Sequence, residues 1–323
     1  MKGFPTTFAP WGARPSDRRT DALKPMLGCL KAMLGRSSLG LVLVALSLLG
    51  GRVGPVPAAD DALTLGIAEY RDEAAVRDDW SPVVARLNDD LPAPYRIRLE
   101  VLPLDRMPEA IRLEEVDLVL TNPVQYVSLH RTTALGSPIA TLVRQASGQA
   151  TARVGGVLIR RADASGLRTW ESIHDQRVAI MGEDYLGAYL ANAQALKERG
   201  IDPQSLDYVR TPQTQSEVVD TVLEGRADVG FVRSGVLESL MDAGRVEPGQ
   251  IRVIEPIVYP MFPYLVSTEL FPEWPLAVRQ GLSEPAQKAV AAALYSLDAG
   301  DPALRGAGIQ GFTLPADYGV IRA

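Results

Sequence analysis

The sequence predicts an α/β fold of two lobes, each a mostly parallel sheet flanked by helices, joined by a two-strand hinge around a shared cleft. Three observations carry this. One unit occurs twice: Glu115-Val116-Asp117-Leu118-Val119-Leu120-Thr121-Asn122-Pro123, and then Arg226-Ala227-Asp228-Val229-Gly230-Phe231-Val232-Arg233-Ser234-Gly235. In both copies a short helical stretch (residues 108–113 and 217–224) runs into an aspartate and an apolar run too short for a helix. That run stops at small or polar residues able to open the next helix. Finally, strand and helix patterns alternate along most of the chain, which predicts parallel sheets with ligand sites at strand C-termini. Helix N-termini there point free N–H groups and a positive dipole end at a ligand.

The elements follow in order. Lys24, Lys31 and Arg36 precede an apolar run over residues 39–49, and Val56-Pro57-Ala58-Ala59 supplies small residues for cleavage. Such a run is well short of the roughly 20 residues that span a bilayer as a helix. Residues 1–59 therefore read as an N-terminal extension with an export signal, and the mature product is expected to begin at Ala59 or Asp60 in the periplasm. The residues before Met26 fit neither signal nor domain; a start codon placed too far upstream accounts for them.

Residues 63–68 alternate as a first strand, with Gly66 where backbone can approach a ligand. A helix over 80–91, a strand over 95–102 and the first repeated unit come next. Short apolar strands at 155–159 and 178–181 bracket a helical turn at 169–173. A helix over 187–199 is closed by Gly200. Asp202-Pro203 opens the link to a strand near Tyr208, and the second unit follows. After residues 251–258 a proline-punctuated loop runs through Pro275, and a helix covers 284–297. Lobe 1 is then residues 61–150 plus 256–323 and lobe 2 is 151–255, with crossings near Thr151 and Glu255.

The chain has 323 residues, 46% apolar and 22% charged, enough for two globular cores. Its only cysteine, Cys29, precedes the apolar run, so an exported product has neither disulfide nor catalytic thiol. From Ala59 onward 25 Lys plus Arg face 37 Asp plus Glu, an acidic balance that argues against nucleic acid and anionic lipid as partners. His130 and His174 lack metal-ligand spacing, and no cofactor motif is present. No nucleophile elbow, zinc-type histidine pair or phosphate loop supports catalysis. An exported enzyme on the same fold remains the alternative.

Several strings resemble a known family. Residues 117–126, Arg177-Val178-Ala179-Ile180 leading to Lys197-Glu198-Arg199-Gly200-Ile201-Asp202-Pro203, and Ala227-Asp228-Val229-Gly230 resemble type 2 periplasmic binding proteins. Within these the match is to the phosphate, phosphite and phosphonate-binding (PhnD-like) family, over residues 63–318. Three further strings are similar to the sensory domains of tetrathionate-sensor-type histidine kinases: Arg233-Ser234-Gly235-Val236-Leu237-Glu238, residues 267–275, and Gly311-Phe312-Thr313-Leu314-Pro315-Ala316-Asp317-Tyr318. In those kinases the chain continues toward a membrane helix. Here it ends at Ala323, which leaves a free-standing relative and an incomplete gene product both open.

The resemblance implies a bilobal type 2 periplasmic-binding-protein fold that closes on a small, anionic ligand for an ABC permease or a membrane histidine kinase. One departure stands out. Members of the family carry a Ser/Thr-rich turn before the helix that here begins near Gly187, whereas this chain has Gly182-Glu183-Asp184-Tyr185-Leu186-Gly187. Glu183 and Asp184 would repel a phosphonate dianion unless they point away.

The candidate ligand contacts are Tyr70, Thr121, Asn122, Tyr126, Tyr185, Gly187 and Arg233. Tyr126 lies one turn into the helix after Asn122-Pro123, where the family's corresponding tyrosine reaches the cleft; an ordinary helix start explains it equally well. Thr121 and Asn122 can cap that helix, contact ligand, or both. Arg233 ends the second repeated strand and offers a planar fork of donors to an anion; a salt bridge is the competing role. Tyr185 and Tyr189 flank the Gly187 turn, with core packing favoured for Tyr189. Glu69, Tyr70 and Arg71 fall at the family's first binding loop. Asp117 and Asp228 are expected to brace their turns, and Trp274 to pack in a structural loop.

Overall fold

The computed structural model describes residues 62–211 and 214–321, so the expected export signal lies outside the described residues. The elements run β1 (Ala62–Ala68), α1 (Glu73–Asp90), β2 (Arg96–Leu102), α2 (Met107–Arg112), β3 (Leu118–Leu120), α3 (Pro123–Thr132), β4 (Leu135–Ala146), β5 (Gln149–Thr151) and β6 (Arg153–Arg161). They continue as β7 (Arg177–Ile180), a π-helical turn (Leu186–Leu190) that runs into α4 (Ala191–Glu198), β8 (Asp207–Arg210), α5 (Gln215–Leu223), β9 (Val229–Arg233) and α6 (Val236–Asp242). The last are β10 (Ile251–Val253), β11 (Leu270–Pro272), β12 (Pro275–Arg279), α7 (Glu284–Tyr295) and β13 (Ile309–Thr313).

Two sheets result, ordered β13-β4-β12-β3-β1-β2, with β5 on β4, and β10-β6-β9-β7-β8, with β11 on β6. Among the described residues only β1 with β2 and β3, and β7 with β8 and β9, pair in parallel. The expectation of mostly parallel sheets is corrected: each sheet is mixed, because β4, β6 and β12 carry the chain between lobes and run against their neighbours.

The repeated unit does the same job twice. Asp117 donates its N–H to Thr64 O (2.9 Å) and accepts from Thr64 N through Oδ2 (3.0 Å). Asp228 donates to Arg177 O (2.9 Å) and accepts from Arg177 N (3.0 Å). Each aspartate thus staples the start of β3 or β9 to the start of its parallel neighbour, as the bracing expectation required. Arg177 also grips Asp228 with Nε (3.1 Å) and Nη2 (3.1 Å), and this hydrogen bonding holds the Asp228 carboxyl below the usual range. A carboxyl depressed on folding stabilises above its unfolded pKa and loses that contribution as pH falls through the folded one. Asp228→Ala is therefore expected to cost about 1–3 kcal/mol at neutral pH, and progressively less toward strong acid, in urea melts.

Strand alternation sorts the core. From β1, Leu63, Leu65 and Ile67 face Trp80, Val83 and Leu87 of α1 and Val290 and Leu294 of α7. Ala68, with Val119 of β3, faces Met107 and Ile111 of α2 and Leu129 of α3. In the second sheet Val157, Ile159 and Val232 face α5 and α6, while Leu158, Ile180 and Phe231 face α4 and Trp170. Gly66 faces no ligand: a Cβ there would lie 2.9 Å from Val116 Cγ1, so the glycine serves close packing on the sheet.

Two boundaries differ from the sequence reading. Helix α1 begins at Glu73, capped by Asp72, whose carboxylate accepts from Ala74 N (3.1 Å) and Ala75 N (3.3 Å); its polar first turns buried only Val76 and hid it. The chain passes from the second sheet back to the first between β11 and β12, near Glu273. Phe262, Tyr264 and Val266 bury in the lobe 2 core, and Ser267 latches onto β6 by donating to Gly156 O (2.8 Å). The two crossing segments meet where Glu273 N donates to Ala152 O (2.9 Å).

Candidate functional site

A cleft of about 250 Å³ opens where these crossings meet the C-terminal ends of the parallel strands. Pockets for drug-sized ligands run about 300–1,000 Å³, so this one suits a small solute. Lobe 1 contributes Tyr70 and Arg71 after β1, Asn122 and Pro123 at the start of α3, and Arg144 of β4. From lobe 2 come Met181 after β7, the stretch from Tyr185 to Ala188, Thr214 and Gln215 opening α5, and Arg233 ending β9. Glu273 and Trp274 form the hinge side.

The main donors lie in lobe 2. The first N–H groups of a helix have no partner within it, and Leu186, Gly187 and Ala188 open the π-helical turn at the cleft. Gly187 is required there by space, because a Cβ would lie 2.7 Å from Val154 Cγ2 and 2.8 Å from Arg233 Cβ. The lobe 1 helix end offers less. Pro123 has no N–H, and the Asn122 side chain itself accepts from Gln125 N (2.9 Å), so Asn122 is a cap that also faces the cleft.

Three arginines and two carboxylates set the field. Arg71 pairs with Asp79. Arg144, from lobe 1, places Nε 3.4 Å from Glu273 Oε2, and Arg233, from lobe 2, donates to Glu273 Oε1. Glu273 is 1% exposed, so both guanidinium groups share one buried carboxylate. Burial pulls Arg144 below the usual arginine range; Glu273 opposes that and Arg233 adds to it. Arg233 Nε is buried with no hydrogen-bond partner among the described residues. Gln215 Oε1 accepts the Arg233 backbone N–H (2.7 Å), fixing the root of that side chain. Two guanidinium groups against one carboxylate leave an excess positive charge on the cleft wall.

Of the seven predicted contacts, Tyr70, Asn122, Tyr185, Gly187 and Arg233 line the cleft. Tyr126 does not. It buries in lobe 1, stacked 5.5 Å from His130 and edge-on 5.3 Å from Tyr318, with its hydroxyl 3.5 Å from Gly136 O. Desolvation there raises its pKa. Thr121 is also buried, donating to Gln125 Oε1, and fastens the first turn of α3. Tyr189 packs 5.7 Å from Tyr208 and 6.4 Å from Phe231, in the core as favoured. Glu183 pairs with Arg210, and neither Asp184 nor Glu69 lines the cleft, so the acidic turn does point away.

Sequence reading missed Arg144, Glu273 and the place of Trp274 in the cleft wall. Trp274 meets Tyr70 edge-on at 5.4 Å and lies under the Arg144 guanidinium at 5.3 Å. Nothing in the spacing of Arg144 marked it, because its partner Glu273 is distant in the chain.

Two mixed sheets bridged by two crossings around a cleft lined by arginines define a bilobal solute-binding protein. Residues 65–318 match the family described as ABC transporter, phosphonate, periplasmic substrate-binding protein, and the chain belongs to that family. It is similar to the tetrathionate sensor histidine kinase TtrS of Salmonella typhimurium, 28% identical over 237 residues. That match takes in 73% of this chain and 39% of the relative, so the chain spans about two fifths of the kinase's length. Among solved structures it is similar to PhnD1 from Prochlorococcus marinus in complex with methylphosphonate (TM-score 0.58, 12% identity, 80% of this chain and 95% of that one). A binding protein component of an ABC phosphonate transporter from Pseudomonas aeruginosa is also similar (TM-score 0.57, 15% identity, 78% and 81%). The family and these two structural neighbours are binding proteins.

Proposed function

We propose that the chain is a periplasmic receptor whose cleft closes on a small oxyanion, phosphorus or sulfur based. The carrying observation is the pair of guanidinium groups, one from each lobe, that line the cleft and share the buried carboxylate of Glu273. Ligand oxygens take Arg233, Arg144 and the N–H groups of Leu186 to Ala188; the Asn122 side chain faces them across the cleft. Tyr70, Tyr185 and Trp274 cover the remainder of the ligand. Binding draws the lobes together about the two crossings, since only the closed form supplies both walls at once.

The receptor then signals or delivers to a membrane partner, a histidine kinase or an ABC permease. Identity of 28% to the kinase relative, against 12% and 15% to the transport proteins, favours signalling. Among the described residues no helix is long and apolar enough to cross a membrane. Titration calorimetry with phosphate, methylphosphonate, sulfonates, thiosulfate and tetrathionate against amine-bearing analogues tests the reading. Heat from one or more oxyanions and none from cationic analogues is expected; binding of cations alone overturns it.

A further inference from the structure

We infer that Glu273 sets the charge of the ligand the cleft accepts, selecting a singly charged oxyanion head over a doubly charged one. The inference rests on the anion reading above. Arg144 and Arg233 bring two positive charges to the cleft and Glu273 removes one, while Arg71 is neutralised by Asp79. One net charge faces the ligand. The carboxylate is no mobile surface group. Its oxygens are held by Arg144 Nε, Arg233 and Trp274 N (3.3 Å), and its backbone by Ala152 O and the Tyr318 hydroxyl (2.7 Å).

Such a fixed charge cannot turn away when an anion arrives. A first negative charge on the ligand meets the uncompensated guanidinium. A second finds no further uncompensated guanidinium and meets the repulsion of Glu273. Both arginines line the cleft, and neither spends all of its N–H groups on Glu273. Hydrogen bonding is thereby supplied without a second unit of positive charge. A purely bracing Glu273 would instead affect all anions alike, and that difference is measurable.

The experiment is titration calorimetry at one fixed pH with two probes, methanesulfonate (one charge) and sulfate (two). Wild-type protein is expected to bind methanesulfonate more tightly. Glu273→Gln should move the ratio of the two dissociation constants toward sulfate by about tenfold or more, whereas Arg144→Gln, which removes a positive charge, should move it the other way. Sulfate preferred by the wild type overturns the inference, and needs no variant to fold. A ratio unchanged in the folded variants, with affinity lost equally for both probes, makes Glu273 a brace and also overturns it. If neither anion binds the wild type, the inference falls, while the anion reading is decided separately by the wider oxyanion and amine screen above.

Discussion

Arg233→Ala is expected to weaken oxyanion binding by one to two orders of magnitude. A charge-assisted hydrogen bond is worth roughly 1.5–3 kcal/mol, and about 1.4 kcal/mol is one decade. Arg233 is the strongest single donor because it is prepared before the ligand arrives. Gln215 holds its backbone N–H, Gly187 leaves room for its Cβ, and Glu273 orients its fork. The truncation also leaves Glu273 with Arg144 as its one ion-pair partner among the described residues, so part of the loss reflects a buried carboxylate less well compensated. Arg233→Lys should recover only part of the affinity, since an ammonium cannot serve Glu273 and the ligand with a planar fork. Arg210 provides the comparison. Its pairing with Glu183 is exposed and outside the cleft, so Arg210→Ala should change binding by less than about threefold. Calorimetry on the three variants decides the matter, and wild-type affinity in Arg233→Ala would sink the oxyanion model.

What the sequence made legible was whatever local pattern controls. The repeated strand-to-helix unit locates β3 and β9, and its aspartates do brace both turns, because a backbone staple needs only neighbouring strands. Arg233, Gly187 and Tyr185 were legible because they fall at strand or helix ends, which the topology sends to the cleft. Long-range pairing hid the rest. β4 is the longest strand, yet Gly136, Pro138 and a shifting register against β12 break its alternation. Its Arg144 acquires meaning only from Glu273, 129 residues later. The proline-rich stretch before Trp274 reads as a loop, but Phe262, Tyr264 and Val266 anchor it to lobe 2 and move the crossing to Glu273. Tyr126 misled for a related reason. Its place one turn into α3 is compatible with either face, and the ring's contacts with His130 and Tyr318 decide for the core.

Gly187→Ala should damage folding and binding together. The added Cβ would lie 2.7 Å from Val154 Cγ2 and 2.8 Å from Arg233 Cβ, closer than real Cβ contacts. Neither neighbour yields easily, since Val154 belongs to β6 and the Cβ of Arg233 is fixed by the backbone of β9. The π-helical turn must therefore lift off the sheet, at a cost of about 1–3 kcal/mol by the measure of overpacked cores. Lifting the turn carries the N–H groups of Leu186 to Ala188 away from Arg233, so the two halves of the proposed oxyanion site no longer converge on one ligand position. Affinity should fall about tenfold or more, beyond what partial unfolding explains, at temperatures where the variant is still fully folded. Gly166→Ala is the matched comparison: a Cβ there meets nothing within 4 Å, and both stability and binding should hold. Urea melts and calorimetry on this pair separate the outcomes. A Gly187→Ala protein as stable and as tight-binding as wild type would show that the turn has slack, and that its N–H groups do not hold the ligand.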